Sequence, residues 1–275
     1  MIDGLLLLGG GVAAGLFGSL LGLGGGILIV PLLTLAFGLP LREAVGISLI
    51  CVIVTSSAAA GVYLERRVAN LRLGMTLELF TATGAMVGGL IAFLLPEQIL
   101  DGLFAALLVY VAITMARRRD APPAAAGTSG STVERSGGPG ASPFLEQLSG
   151  PGYRVGRLGF GVVGSVFAGV ASALLGIGGG LIKVPVMHVI MGVPLRVATA
   201  TSNLMIGITA SASAIIYLLR GGIDAFAAAP TAIGVFIGAS IGSRAAHRID
   251  LRILRGLFVA ILLYTAWQML RRAIA

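Results

Sequence analysis

Charged side chains are scarce in this sequence. Asp, Glu, Lys and Arg make up 11% of its 275 residues, whereas a soluble domain usually carries about 25%. Hydrophobic residues make up 57%, and the mean hydropathy is +1.01. So few charges cannot cover a globule with polar surface, which excludes a soluble protein. The composition is typical of a chain that crosses a lipid bilayer several times.

Cysteine and histidine are also nearly missing. Cys51 is the only cysteine, so no intrachain disulfide can form and the cysteine ligand sets of structural zinc sites are absent. His188 and His247 are isolated in the sequence, and neither indicates a metal. The one G-x-S-G string, at residues 127–130, lies in a hydrophilic stretch, and HExxH does not occur. We therefore expect no cofactor and no metal, and the sequence disfavours an intramembrane enzyme.

The net charge does not indicate a nucleic-acid partner. It is formally +8, from 19 basic and 11 acidic residues. Most of the arginines flank apolar segments, where basic residues report which side of a membrane a loop lies on. The N-terminus lacks the basic region of a cleavable signal, since Asp3 is the only charged residue before Arg42. Residues 5–21 are therefore interpreted as a retained segment of a multi-pass protein of the plasma (inner) membrane.

Glycine, in contrast, is abundant, and one glycine-rich phrase occurs twice. The first copy, GLFGSLLGLGGGILIVP, begins at Gly15, and the second, GVASALLGIGGGLIKVP, begins 154 positions later at Gly169. Three consecutive glycines weaken a membrane helix, because glycine loses much conformational entropy when it is ordered. Two such breaks at matching positions of two repeats point to the binding site of a transporter.

The similarity extends well beyond this phrase. Residues 10–118 align without a gap on residues 164–272, with roughly a third or more of the positions identical, which indicates an internal repeat. Between the repeats lies a stretch rich in Pro, Gly, Ser and Ala, which is typical of a flexible linker. The predicted domains are repeat one (1–118), a flexible cytoplasmic linker (119–152) and repeat two (153–275).

Each repeat contains five apolar segments. They lie near 5–21, 27–37, 44–64, 73–95 and 99–116 in repeat one, and near 158–175, 181–191, 197–219, 225–246 and 253–270 in repeat two. A full span needs about 20 residues, so the second segment of each repeat is too short to cross upright. We predict an all-α polytopic membrane protein of about ten helices, in which these second segments are short or re-entrant.

Arginine positions set the predicted orientation of the halves. In repeat one, arginines follow the third segment, at Arg66, Arg67 and Arg72. In repeat two they gather after the fourth segment, at Arg244, Arg248, Arg252 and Arg255. Arginine-rich short loops favour the cytoplasm, so the two halves are predicted to sit upside down relative to each other, as an inverted-topology repeat.

The glycine breaks are the first candidate for a binding site. They comprise Gly24, Gly25 and Gly26 in repeat one, and Gly178, Gly179 and Gly180 in repeat two. Each break can expose backbone N–H groups, and a helix begins immediately after it. Such helix starts attract anions through unpaired donors and the helix dipole. The alternative is close helix packing, which small residues permit.

Four polar side chains complete the candidate site. Lys183 is the only lysine of the chain and follows the second break; it is a candidate for substrate contact, or else its side chain snorkels to the interface. Ser202, Asn203 and the repeat counterpart Ser48 can donate hydrogen bonds to an oxyanion, or can link helices to each other. Glu78 is interpreted as pairing with an arginine near a helix end rather than as a proton relay.

The repeated motifs resemble the sulfite exporter TauE/SafE family. The matching residues are Gly22, Gly24, Gly25, Gly26 and Pro31 in the first phrase, and Gly176, Gly178, Gly179, Gly180 and Pro185 in the second. Each phrase is followed by G-x-P-L-x-x-A. The resemblance implies a membrane permease for export or uptake of sulfite and small organosulfonates. We expect the chain to export such oxyanions by alternating access at a mid-membrane site formed by the two glycine breaks of the inverted halves. The expected partners are a small anionic substrate and the lipid bilayer, and the alternative substrate is another small anion such as a carboxylate.

Overall fold

The fold is built from helices of very different lengths. The computed structural model describes residues 2–21, 26–65, 69–117, 148–149, 153, 155–245 and 251–274. Repeat one contains α1 (Ile2–Leu21), α2 (Gly26–Pro31), α3 (Leu41–Glu65), α4 (Leu71–Leu94) and α5 (Glu97–Arg117). Repeat two contains α6 (Leu158–Leu175), α7 (Gly180–Pro185), α8 (Leu195–Leu219), α9 (Ala225–Ala245) and α10 (Leu251–Ile274).

Length and composition make five of these helices capable of spanning a membrane. Within the described residues these spans are Leu71–Leu94, Glu97–Ala116, Leu158–Leu175, Leu195–Leu219 and Ala225–Gly242. Large apolar side chains also point away from the protein, such as Phe160 at 69% and Leu79 at 70% exposure, as expected for side chains that face lipid. The prediction of an all-α polytopic membrane protein is confirmed.

The second segment of each repeat is a short helix followed by a π-helical turn. The turns cover Leu32–Ala36 and Val186–Ile190. Each begins directly after a proline, Pro31 or Pro185, which has no N–H to continue the α-helical ladder. In the second turn, the N–H of Met191 donates to the carbonyl of Val186 over 3.1 Å, five residues back. The predicted short second segments are therefore present.

The two repeats interleave. The first helix of each repeat packs on the fourth helix of the other, so α1 lies on α9 and α6 lies on α4. Glycines permit these contacts: Gly11 lies against Thr231, and four residues later Gly15 lies against Val235. Because both helices advance together, α1 and α9 run in the same direction. The remaining large contacts join α3 to α8, α4 to α8 and α5 to α10.

The equivalent third helices, α3 and α8, run in opposite directions. Near the start of α3, Gly46 lies against Gly222, just beyond the end of α8. Further along α3, Ser56 lies against Gly207 in the middle of α8. The short second segments also reverse direction, since Met191 returns to lie against Gly161 near the start of α6. The short segment after α6 therefore runs back along that helix, from Gly180 near its end to Met191 near its start.

The end of the predicted linker belongs to the packed structure. Asn70 caps α4 by accepting from the N–H of Leu73 over 3.1 Å, and its amide donates to Leu148 O over 2.8 Å and to Tyr153 Oη over 2.7 Å. Leu148 is buried. Leu148 therefore packs against the helices although it falls within the predicted linker of residues 119–152, while residues 118–147 lie outside the described residues.

Candidate functional site

A cavity of about 190 Å³ lies between α5, α7 and α8. Its polar residues are Thr114 near the end of α5 and Thr199, Ser202 and Asn203 on α8, and Gly180 contributes the start of α7. The rest of the lining is apolar and includes Val111, Met115, Leu181, Val184 and Ile206. Three residues predicted from sequence, Gly180, Ser202 and Asn203, are therefore brought together at one cavity.

Ser202 presents a free hydroxyl at this cavity. Its Oγ is buried and has no hydrogen-bond partner within the described part of the chain. Neighbouring serines on α8 instead return their hydroxyls to the helix backbone: Ser211 donates to Gly207 O over 2.8 Å, and Ser213 to Thr209 O over 3.2 Å. A buried polar atom without a partner costs free energy, so Ser202 is poised to bind a ligand group.

The glycine break ahead of α7 shapes one wall of the cavity. Gly178 and Gly179 have φ values of +73° and +74°, a left-handed conformation that favours glycine. Gly180 begins α7, and a Cβ there would lie 2.5 Å from Ile206 Cδ1 and 3.5 Å from Ser202 Oγ. Glycine at 180 therefore lets the Ile206 side chain pack against the start of α7, beside Ser202. Gly178 and Gly179 form the turn but do not line the cavity.

Ser48 joins the glycine phrases of both repeats. Its hydroxyl donates to Gly176 O over 2.8 Å and lies 3.2 Å from Gly26 O. Gly26 is buried against the same region, since a Cβ there would lie 2.7 Å from Gly176 O. Ser48 and Gly26 thus hold the two breaks in contact and do not line the cavity. The predicted site residues Gly24 and Gly25 lie outside the described residues.

The repeat counterpart of the cavity is closed. The α8 residues Thr199, Ser202, Asn203 and Ile206 correspond to Val45, Ser48, Leu49 and Val52 on α3. All four α3 residues are buried, and none is more than 1% exposed. On the opposing helix, Met269 on α10 is the counterpart of cavity-lining Met115 and is also 0% exposed. The cavity beside α8 therefore has no open equivalent at these α3 residues, where Gly176 lies against Val45 and Ser48 and Gly178 lies against Val52.

A buried ion pair lies behind the cavity. Lys183 Nζ on α7 is 2.9 Å from Glu78 Oε2 on α4 and 2.6 Å from Thr209 Oγ1 on α8, and Thr209 Oγ1 is 2.6 Å from Glu78 Oε1. The side chains of Lys183 and Glu78 are 1% and 5% exposed. Snorkelling of Lys183 is therefore wrong. Glu78 is paired, but the predicted arginine partner is also wrong, because the partner is Lys183.

The ion pair changes the electrostatics expected of the site. Lys183 is not among the residues that line the cavity, and its ammonium charge is neutralised by the Glu78 carboxylate. With the pair closed, the cavity offers hydroxyl, amide and backbone donors rather than a net positive charge. A substrate contact by Lys183 stays a prediction, and it requires that the ammonium leave or share its partner.

A signal for this pair was present in the sequence. Lys183 and Glu78 are both unmatched in the internal repeat, where Ile29 and Ala232 stand at the equivalent positions. Two opposite charges that each break the same repeat are candidates for neutralising each other, since unpaired charges are costly in a membrane. Across the residues with described positions, no group of three or more His, Cys, Asp or Glu side chains could hold a metal ion.

Comparison with known proteins identifies the family. The model of the family described as "Sulfite exporter TauE/SafE" matches residues 7–269. The chain belongs to the TauE/SafE family. It is 25% identical over 240 residues to "Probable membrane transporter protein YunE" of Bacillus subtilis, with 85% of each chain covered. It is 28% identical over 214 residues to "Probable membrane transporter protein MJ0441" of Methanocaldococcus jannaschii, with 76% of this chain and 70% of that protein covered.

A further relative supports the same assignment. The chain is 25% identical over 231 residues to "Probable membrane transporter protein YdhB" of Bacillus subtilis, with 84% of this chain and 85% of that one covered. No solved structure matches the chain. As a TauE/SafE protein with five long apolar helices, the chain is a multi-pass membrane protein and a membrane transporter.

Proposed function

We propose that this TauE/SafE protein exports small sulfur-containing oxyanions, sulfite or organosulfonates, across the plasma (inner) membrane by alternating access. The observation that carries the proposal is the cavity at which Gly180, the free hydroxyl of Ser202 and Asn203 converge, while its repeat counterpart is closed. The substrate site comprises the two glycine breaks with Ser48, Ser202, Asn203 and Lys183. The glycines of the breaks are Gly24, Gly25, Gly26, Gly178, Gly179 and Gly180.

Inverted repeats supply the two access states. The equivalent helices α3 and α8 run antiparallel, and each first helix packs on the fourth helix of the other repeat. This arrangement supports two halves related by a pseudo-twofold axis in the membrane plane. Exchanging the conformations of the halves would close the cavity around Ser202 and open the one around Ser48, on the opposite side of the membrane.

The cavity matches a small anion with an apolar body. Ser202 and Asn203 offer hydroxyl and amide donors to oxyanion oxygens, while Val111, Met115 and Leu181 form an apolar wall. The cavity also lies beside the end of α5, which the sequence continues as Arg117, Arg118 and Arg119. Basic residues of this kind favour the cytoplasm, the side from which an exporter takes its substrate.

Flux in proteoliposomes tests the proposal. The full chain should carry labelled sulfite and methanesulfonate faster than protein-free vesicles. Ser202→Ala should raise the half-saturating concentration about tenfold, because a hydrogen bond to a charged group is worth roughly 1.5–3 kcal/mol. Ser211→Ala is the matched control, since its hydroxyl bonds to its own helix. Absence of sulfite and sulfonate flux in the wild type would refute the proposal.

A carboxylate is the second candidate substrate. The hydroxyl and amide donors of Ser202 and Asn203 accept any small oxyanion, and the apolar wall suits a short alkyl chain equally well. A competition panel of sulfite, methanesulfonate, sulfate and acetate separates the two classes. Sulfur oxyanions should inhibit labelled sulfite flux at lower concentration than acetate, and the reverse order would favour a carboxylate permease.

A further inference from the structure

The buried pair of Glu78 and Lys183 is not required by the helix arrangement around it. The equivalent positions are Ala232 on α9 and Ile29 on α2, which are apolar and buried. The repeats nevertheless form the same long fourth helix around Ala232 and the same short second helix around Ile29. Removing two charges from water is costly, and their attraction does not always recover the cost. A charged pair that packing does not need indicates a functional role.

The pair lies one helical turn behind the cavity wall. Lys183 follows Gly180 by three residues on α7, and Thr209 follows Ile206 by three residues on α8. Gly180 and Ile206 both line the cavity. Glu78 reaches Lys183 and Thr209 from α4 of the other repeat. The hydroxyl of Thr209 donates to Oε1, the second carboxylate oxygen of Glu78. A change of charge at this cluster therefore changes the electrostatic potential in the cavity, because interior charges are weakly screened.

Few other ionisable groups share this region. On α4 the nearest is Arg72, which is exposed in the first turn, and the described part of α6 contains none. On α8, Arg196 and Tyr217 lie at opposite ends of the helix. After α7, His188 turns its Nδ1 to Val193 O over 2.9 Å. In the described structure, Lys183 is the charged group that pairs with Glu78.

We propose that Glu78, Lys183 and Thr209 form a proton-binding site that couples proton movement to anion movement. This inference rests on the proposed anion transport. With both groups charged, the pair is neutral. When Glu78 takes a proton from water, the ammonium of Lys183 is left uncompensated beside the cavity and attracts an anion. Proton and anion binding therefore favour each other by the same factor, as linkage requires.

The transported unit is then one anion and one proton. The Glu78 carboxylate gains a proton on the side where the anion binds and returns it on the side where the anion leaves, and Thr209 can turn its hydroxyl to either group. No covalent bond to the substrate forms. Because the charges cancel, the sum of the anion and proton concentration gradients sets the direction, and export follows when the anion accumulates inside.

Proton counting in proteoliposomes tests the coupling. Methanesulfonate is the probe, because its parent acid is too strong to carry a proton near neutral pH. With the membrane potential clamped by valinomycin and potassium, a pH dye inside the vesicles reports protons while labelled methanesulfonate reports anions. The wild type should move about one proton per anion, with faster flux at about pH 6 than at about pH 8.

Glu78→Gln should abolish the proton signal and the pH dependence of the remaining flux. Glu43→Gln, which removes a carboxylate from the first turn of α3, is the control and should keep the wild-type ratio. An unchanged proton-to-anion ratio in Glu78→Gln would overturn the inference. Wild-type anion flux without proton movement would overturn the proton-coupling inference and leave the proposed anion export standing. Absence of both sulfite and methanesulfonate flux would overturn the proposed function as well.

A double variant covers the case in which Glu78→Gln does not fold. Glu78→Ala with Lys183→Ile gives each position the residue type of its own repeat counterpart, Ala232 for Glu78 and Ile29 for Lys183. It should fold, and any anion flux it retains should carry no protons. Loss of folding in this variant would show that the fold needs the ion pair, and coupled protons would show that the pair does not carry them. Either result overturns the inference.

Discussion

At the scale of single residues, glycines in the paired helices mark points where two backbones touch. Gly169 on α6 lies against the carbonyl of Thr81 and the amide of Ala85 on α4. Its repeat counterpart Gly15 makes the equivalent contact with Val235 on α9. A side chain at these positions would meet backbone atoms, which cannot rotate away. Close approach of this kind is how membrane helices gain packing energy.

Substitution of Gly169 by alanine should therefore destabilise the fold. Overpacking of a tight contact costs roughly 1–3 kcal/mol, which corresponds to a fall in the unfolding temperature of about 5 °C for a chain of this size. Thermal unfolding in detergent measures the change. Gly159→Ala on the same helix is the control, because nothing lies within 4 Å of a Cβ there. Equal unfolding temperatures for the two variants would contradict the contact.

The ion pair predicts a non-additive effect on stability. Lys183→Ile alone leaves the Glu78 carboxylate buried without its cation, which should cost about 3–5 kcal/mol. Adding Glu78→Ala removes the stranded charge, so the double variant should be more stable than Lys183→Ile by at least about 2 kcal/mol. Denaturant unfolding of the single and double variants measures this coupling. Additive losses would mean that the two side chains do not stabilise each other.

At the scale of helices, much of the architecture could be predicted from the sequence. The glycine break before α7 and Pro185 at its end limit that helix to one short segment, and both signals are local. The partner of Glu78 was not predictable in this way, because Lys183 lies 105 positions along the chain. That contact depends on how α4 packs against the other repeat, which hydrophobic periodicity within one helix does not indicate.

Asn70 at the N-terminus of α4 connects the cap of that helix to the end of the linker. Asn70→Ala removes the cap on Leu73 and both side-chain hydrogen bonds that hold Leu148 and Tyr153. Loss of a cap costs about 1 kcal/mol, and the end of the linker should become easier to cleave. Limited proteolysis in detergent should cut near residue 148 several-fold faster than in the wild type. Thr76→Ala is the control, because its exposed hydroxyl bonds only to its own helix at Arg72 O.

At the scale of the whole molecule, equivalent positions of the two repeats have different surroundings. The positions around Ser202 border a cavity, while the equivalent positions around Ser48 are filled. The sequence indicates the internal repeat and the polar residues Ser202 and Asn203, because both can be read from residue identities. It could not predict that a cavity forms at these two residues, since the cavity depends on how helices of both repeats pack.

Cysteine labelling tests the exchange of states. In a Cys51→Ala background, Thr199→Cys should react with a membrane-impermeant thiol reagent from the cytoplasmic side about tenfold faster than Val45→Cys. Methanesulfonate should reduce labelling at 199 and, as the protein cycles, raise labelling at 45 from the other side. Residues 45 and 199 occupy equivalent positions of the two repeats, so each cysteine variant serves as the control for the other. Labelling at 45 that never changes would argue against alternating access.

The ion pair also has a consequence for the resting protein. In a carrier with two identical halves, the inward-open and outward-open states would have equal free energy by symmetry. Here Glu78 of repeat one has Ala232 as its counterpart in repeat two, and Lys183 of repeat two has Ile29 as its counterpart in repeat one, so symmetry does not make the free energies of the two states equal. Under the proposed alternating access, we therefore expect the empty carrier to populate one access state more than the other, and its turnover in the two directions to be limited by different steps.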